Sequence, residues 1–204
     1  VPTGGESSRP FRARADITLR GLYITNEDEL GKRLLRTIRV SADRVRVVVE
    51  DCHLDKSNQS AFRLDNEDNI IHLTNTIISD IGNYASPNNG RGIDDRGNDI
   101  DSLVVSNCTF YNLTSTVLRD GGGGKINYCD FNHNTIVNTG MQAIEVGEAI
   151  ETHITNNVFV NGVFFGLGPQ GGSEITEGYH ILVYALNEDL KSAGVKQVVN
   201  IRNN

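Results

Sequence analysis

The 204-residue chain contains no Trp, one Met, three Cys and four Pro, and its 19 basic residues are outnumbered by 26 acidic ones, for a net charge of −7. Each shortage removes a class of protein. An odd cysteine count without paired spacing leaves no disulfide framework and no zinc-ligand pattern. The deficit of Lys and Arg leaves too little charge to neutralise the phosphates of a nucleic acid. It also denies an acidic polysaccharide any general attraction, so such a partner would need a local basic patch or a bridging cation. No apolar run approaches the roughly 20 residues that span a bilayer. The opening VPTGGESSRP reads as a mature or trimmed end rather than a signal peptide. What the chain has instead is Gly and Asn in quantity, which favours many turns and few long helices.

Against this background one template recurs in VVVEDCHLD, IHLTNTIIS, LVVSNCTFY, DFNHNTIVN and HITNNVFVN. The segments align at Cys52, Thr76, Cys108, Asn134 and Asn157. Three positions earlier stand Val49, Leu73, Val105, Phe131 and Ile154; two positions later stand Leu54, Ile78, Phe110, Ile136 and Phe159. Between them Asp51, Asn75, Asn107, His133 and Asn156 suit tight bends. Upstream, Leu19, Leu22 and Ile24 fit the same frame, and repeats follow one another at 23 to 32 residues.

Each unit is too small to bury its own apolar side, so it must stack on its neighbours. The helical period of 3.6 and leucine-rich spacing are both absent. The expected fold is all-β: a right-handed parallel β-helix, a single-stranded solenoid of about six rungs. Its coils would rise by about 4.8 Å each. Cys52 and Cys108 would then lie about 9.6 Å apart, beyond the roughly 7 Å that a disulfide permits, so all three cysteines are expected reduced in the core.

Residues 1–204 are expected to form one domain, within a longer chain or assembly. Residues 26–41 lengthen the first connection and are expected to include a short helical turn. A loop, strand and capped helix are inserted at about 166–198, after which VVNIRNN starts another rung, with Ile201 and Asn204 matching Ile154 and Asn157.

The most charged stretch is GRGIDDRGNDID, residues 90–101. Placing Ile93 in the column of Phe62, Leu118 and Ile144 stacks Arg63, Asp94, Arg119 and Glu145 with alternating sign, beside Asp95, Asp120 and Arg96. Two readings stand. A surface ladder of compensating charges would set register, each exposed pair contributing about 0–1 kcal/mol. Alternatively Arg63, Asp94, Asp95, Arg96 and Asp120 form a substrate-binding face. A cation held by Asp95, Asp99 and Asp101 is a further expectation, although Arg96 intervenes. The Arg neighbours are expected to depress the pKa values of Asp94, Asp95 and Asp120, which is wrong for a general acid. RDGGGGK, residues 119–125, reads as a bend between rungs, because its spacing is not that of a phosphate loop. Tyr84, Tyr111 and Tyr128 are candidates for sugar stacking.

The I-x-N-N-x-F pattern of ITNNVFVN and the rung NHNTIVN resemble the pectate-lyase-like superfamily of secreted β-helix proteins. The likeness runs over about residues 15–165. In style it is similar to the chondroitinase-B and alginate lyase branch and to uncharacterised bacterial surface β-helix domains. It implies an extracellular or cell-surface protein that binds, and as a lyase cleaves by β-elimination, an acidic polysaccharide. It implies Arg119 and Lys125 as base and charge stabiliser, and Glu145 and Glu148 as ligands of Ca2+. The alternative is a non-catalytic structural segment, a surface filament or adhesin, whose open rungs stack end to end on copies of itself. Enzyme status is left open by the residues.

Overall fold

The computed structural model describes residues 11–82, 89–119, 123–162 and 180–204. Their strands fall into three parallel sheets. Sheet A orders Phe11–Ala13 (β1), Arg36–Val40 (β4), Ser60–Leu64 (β7), Arg91–Asp94 (β10), Leu118–Arg119 (β13), Ile144–Val146 (β16) and Ile181–Val183 (β19). Sheet B orders Ile17–Arg20 (β2), Arg46–Glu50 (β5), Asn69–Thr74 (β8), Ile100–Ser106 (β11), Lys125–Asn132 (β14), Glu148–Thr155 (β17) and Val198–Arg202 (β20). Sheet C holds Tyr23–Thr25 (β3), His53–Asp55 (β6), Ile77–Ile81 (β9), Thr109–Leu113 (β12), Thr135–Thr139 (β15) and Val158–Val160 (β18). Each strand pairs in parallel with the one three places later, so the chain passes A to B to C and climbs one rung. This is a right-handed parallel β-helix.

The expected columns are real. Leu19, Val49, Leu73, Val105, Phe131 and Ile154 succeed one another in register, all buried. Leu54, Ile78, Phe110 and Ile136 form a second buried stripe, and Ile38, Phe62, Ile93, Leu118 and Ile144 a third. Three apolar stripes converging inside one coil give a core that no single rung could build. The cysteines are buried and unbridged.

Between sheets B and C the chain turns on one residue per rung in the left-handed region: Asp51, Asn75, Asn107, His133 and Asn156, with φ between 51° and 57°. Asn and Asp tolerate that conformation best among residues with a side chain. A second left-handed column was not read from the sequence: Lys56, Asp80, Asn112, Asn138 and Asn161, four residues after each reference position. Both columns are zipped by amides. Asn107 donates through Nδ2 to Asn75 (2.7 Å) and Asn75 to Asp51 (3.2 Å). Asn161 donates to Asn138 (3.1 Å), Asn138 to Asn112 (2.8 Å) and Asn112 to Asp80 (3.0 Å).

A third ladder lies inside. Asn134 Oδ1 accepts from the Cys108 backbone N–H (2.9 Å), while its Nδ2 donates to the Val105 carbonyl (3.0 Å) and to Asn157 Oδ1 (2.9 Å). Asn157 repeats this one rung on, and Asn204 one rung further. Ile201 pairs with Ile154 as expected.

One difference stands out. Residues 26–41 contain no helix: a loop is closed by an antiparallel bridge of Glu27 and Arg33, with Asp28 Oδ1 accepting from the Leu30 and Lys32 amides. The apolar residues after it alternate, burying Ile38 and Val40, which is strand rather than helix periodicity. The expected helix near the end is Glu188–Ser192 (α1), capped by Asn187, whose Oδ1 accepts from Leu190 N at 2.9 Å, and followed by Gly194 at φ 79°. The loop expected at 166–174 lies outside the described residues.

Buried and exposed amides should differ sharply. Asn134→Ala strips partners from two buried backbone groups, and urea unfolding should show a loss of about 2–5 kcal/mol. Asn161→Ala, on the exposed ladder, should cost about 1 kcal/mol, chiefly for holding Ala at φ 53°.

Candidate functional site

Sheet A turns an almost wholly polar face outward. Arg12, Arg39, Arg63, Asp94, Arg119 and Glu145 occupy successive rungs in one register. The sign alternation expected from Arg63 to Glu145 therefore holds, but Arg39 stands directly beside Arg63. Asp65, at the end of the next coil, resolves that conflict by accepting from both guanidinium Nε groups. Burial works to raise the Asp65 pKa, yet hydrogen bonds and charge from Arg63 and Arg39 outweigh it and hold it below the usual carboxylate value.

A second outward column lies three residues earlier on each strand. Arg36 pairs in register with Ser60, and Ser60 with Arg91. The Gly92 amide bonds to the Thr116 carbonyl (2.9 Å), which brings Thr116 onto the following rung. Side chains of this column reach towards the first: Arg91 Nη1 donates to Asp94 Oδ1 at 2.9 Å, and Gln142 Nε2 to Glu145 Oε2 at 2.9 Å. Arg36 donates to Gln59. Arg36 and Arg91 are only 8% and 7% exposed. Four donors on four consecutive rungs of this column, Arg36 Nε, Ser60 Oγ, Arg91 Nε and Thr116 Oγ1, are buried without a hydrogen-bond partner. A buried unsatisfied donor costs about 1–3 kcal/mol, more when charged.

The electrostatics agree. Burial, followed by the positive charge of Arg63, pulls the Arg36 guanidinium down to about 10. Gly92 packs the backbone tightly beneath this face, since a Cβ there would lie 2.6 Å from the Val117 carbonyl oxygen.

Asp94 departs from expectation. Its Arg neighbours do not win: burial pushes its pKa up to about 6, against the pull of Arg96, Arg63 and Arg36. Asp94 and Asp65 thus have their acidities pushed apart on one face, the arrangement that acid–base pairs use. Arg91 holds Asp94, however, and both Arg39 and Arg63 hold Asp65, so both carboxylates serve first to organise guanidinium groups.

The other candidates are distributed differently. Asp95 is buried and closes a turn, its Oδ1 accepting from Gly97 N (3.0 Å) and its carbonyl from Asn98 N (3.2 Å). Arg96 sits in that turn with φ 64° and is exposed. Asp120 and Tyr84 lie outside the described residues. Lys125 stands in sheet B rather than beside Arg119, with Asp99 accepting from its amide (2.8 Å) and pairing with Nζ (3.8 Å). Asp101 accepts from Asn127 (3.1 Å). Glu145 is in β16 and Glu148 begins β17; Glu148 accepts from Asn187 (2.6 Å). Among the described residues no three His, Cys, Asp or Glu side chains gather to hold a metal ion. Tyr111 lies on sheet C and Tyr128 on sheet B. His133 is an exposed bend residue.

The Asp94 shift has a definite sign. Its raised folded value means the folded state holds the proton more tightly than the unfolded chain. The stability from this group is complete below about 4, and is lost as pH rises through about 6. Asp65 acts oppositely: its contribution is present above its unfolded value and is lost as pH falls through its lowered folded value. A carboxylate NMR titration should show one Asp resonance with a midpoint near 6 that vanishes in Asp94→Asn, and that variant should lose the downward slope of stability between about pH 4 and 6.

The comparisons with known proteins agree with the geometry. No curated protein and no solved structure matches the chain. A family model described as the right-handed beta helix region matches residues 36–195, which run from the first residue of β4 to just past α1. By coil, column and family match alike, the chain belongs to the right-handed β-helix family.

Proposed function

We propose that the outer face of sheet A binds an acidic polysaccharide laid along the solenoid axis, at the cell surface or outside the cell. The observation that carries this reading is the file of buried, unpartnered donors from Arg36 to Thr116, flanked by Arg39, Arg63 and Arg119. A chain of net charge −7 gains nothing for folding by crowding guanidinium groups here. A carboxylate or sulfate would bond the partly exposed guanidinium groups of Arg39, Arg63 and Arg119 that flank the file, with charge-assisted hydrogen bonds. Arg offers the planar fork that such groups fit. This is the local basic patch that an acidic protein needs to hold an acidic polymer.

The reading is one of binding first. Arg119 stands on the face and is available to a substrate, whereas Lys125 is engaged by Asp99 in sheet B, so β-elimination would have to proceed without that lysine. Calcium is not required by the donor set, because guanidinium groups neutralise the polymer directly. Alginate, pectate and chondroitin sulfate should be titrated calorimetrically at two salt concentrations. Binding should weaken with salt, and the Arg63→Ala/Arg119→Ala double variant should bind at least about tenfold more weakly. No binding of any of the three sinks the proposal. Absorbance near 235 nm, with and without calcium, tests cleavage in the same mixtures.

A second reading rests on β20. Val198, Val199 and Ile201 are exposed there, on the outermost strand of sheet B among the described residues. That edge can accept one more rung, from a continuation of the chain or from a second copy. Concentration-dependent filaments in electron micrographs, lost in Val199→Lys, would favour a second copy.

A further inference from the structure

A separate arrangement on sheet C is used by neither the core nor the charged face. Tyr23, His53 and Ile77 occupy one column, and Thr25, Asp55, Ser79 and Tyr111 another. Asp55 is 4% exposed. Its Oδ1 accepts from Ser79 Oγ at 2.8 Å and its Oδ2 from the Tyr23 hydroxyl at 3.3 Å. Ser79 Oγ also lies 2.8 Å from His53 Nε2. Since the serine's only proton goes to Asp55, its oxygen accepts from His53, which fixes the proton on Nε2 and leaves Nδ1 of the neutral ring as an acceptor. The Tyr23 and His53 rings pack at 5.0 Å, tilted by 42°.

Tyr23 is nevertheless 64% exposed. A buried carboxylate is expensive, and the fold does not need one to secure a solvent-exposed ring. The rigid ring borders a cleft of about 450 Å³ lined by Leu22, Tyr23, Asp51, His53, Asn75 and Ile77 among others. Leu22 and Ile77 are exposed there, and the one charged group of the lining is Asp51. The cleft therefore offers an immobilised aromatic face, two apolar flanks, and oxygen and nitrogen acceptors, with no cation in its lining. Preorganisation of this kind lowers the cost of binding.

We propose that this cleft is a binding site for an uncharged sugar ring. The ring stacks on Tyr23 and donates hydroxyl protons to Asp51, Asn75 and His53 Nδ1. The negative charge of Asp51 disfavours the acidic polymer proposed for sheet A, so the two faces take different saccharides.

The test is an amide NMR titration of the intact chain with two uncharged probes, cellotetraose and maltotetraose, and with tetragalacturonate as the acidic control. At least one neutral probe should shift resonances of residues 21–23, 51–53 and 75–77, and tetragalacturonate should leave them unmoved. Tyr23→Ala, an exposed position whose folding is checked by circular dichroism, should abolish the shifts. Tyr23→Phe keeps the ring but releases it from Asp55, and should weaken binding several-fold without abolishing it. The proposal is overturned if neither neutral probe shifts this cluster, if Tyr23→Ala binds as the parent does, or if tetragalacturonate occupies the cleft.

Discussion

Parallel stacking is the constraint from which everything else follows. A coil cannot bury its own apolar side chains or satisfy its own backbone, so each position must be compatible with the same position on the coils before and after it. For an apolar residue compatibility is simple, because Val49, Leu73, Val105 and Phe131 gain area from one another. For an amide it is simple too, since Asn carries both a donor and an acceptor and can repeat without end. For a charge it is not. A column of like charges must be relieved from outside, as Asp65 relieves Arg39 and Arg63, or must alternate.

The charged face of sheet A is where this constraint is least well met by the chain itself. Four successive rungs leave a buried donor unanswered in one column. Two of the four are the hydroxyls of Ser60 and Thr116, which accept as well as donate, so each Arg of the column has an acceptor type on the next rung, yet none of the four atoms has a partner. Sheet C follows the opposite course. There Asp55 and Ser79, on neighbouring rungs, satisfy one another and fix Tyr23 in place. Both faces spend buried polarity, one by leaving buried polar atoms without partners and the other by holding an exposed ring.

The solenoid was legible because stacking writes itself into the sequence at a fixed offset. Residues three before and two after Cys52, Thr76, Cys108, Asn134 and Asn157 had to be alike, and they were. The column four after those positions, from Lys56 to Asn161, obeys the same offset and went unread because its first member is Lys. The Tyr23, His53, Asp55 and Ser79 grouping also sits at constant offsets of one and three. It stayed hidden because its members differ in type and only bonding across rungs unites them. The Arg36, Ser60, Arg91 and Thr116 column stayed hidden for another reason: Ser60 and Thr116 keep one offset from their reference positions, but Arg36 and Arg91 follow longer connections and differ from them in type. The acidity of Asp94 was misjudged since neighbours can be counted along a chain, whereas burial cannot.

The two outer amide ladders have a direction. Their bonded amides donate back towards the preceding coil, from Asn107 through Asn75 to Asp51 in one and from Asn161 through Asn138 and Asn112 to Asp80 in the other, while His133 interrupts the first. A carboxylate accepts but has nothing to pass on, so it terminates the relay. The aligned amide dipoles also leave their positive ends facing that aspartate, whose negative charge balances them. The inner ladder runs the other way, Asn134 donating to Asn157 and Asn157 to Asn204, so the outer and inner amide dipoles oppose one another along the axis.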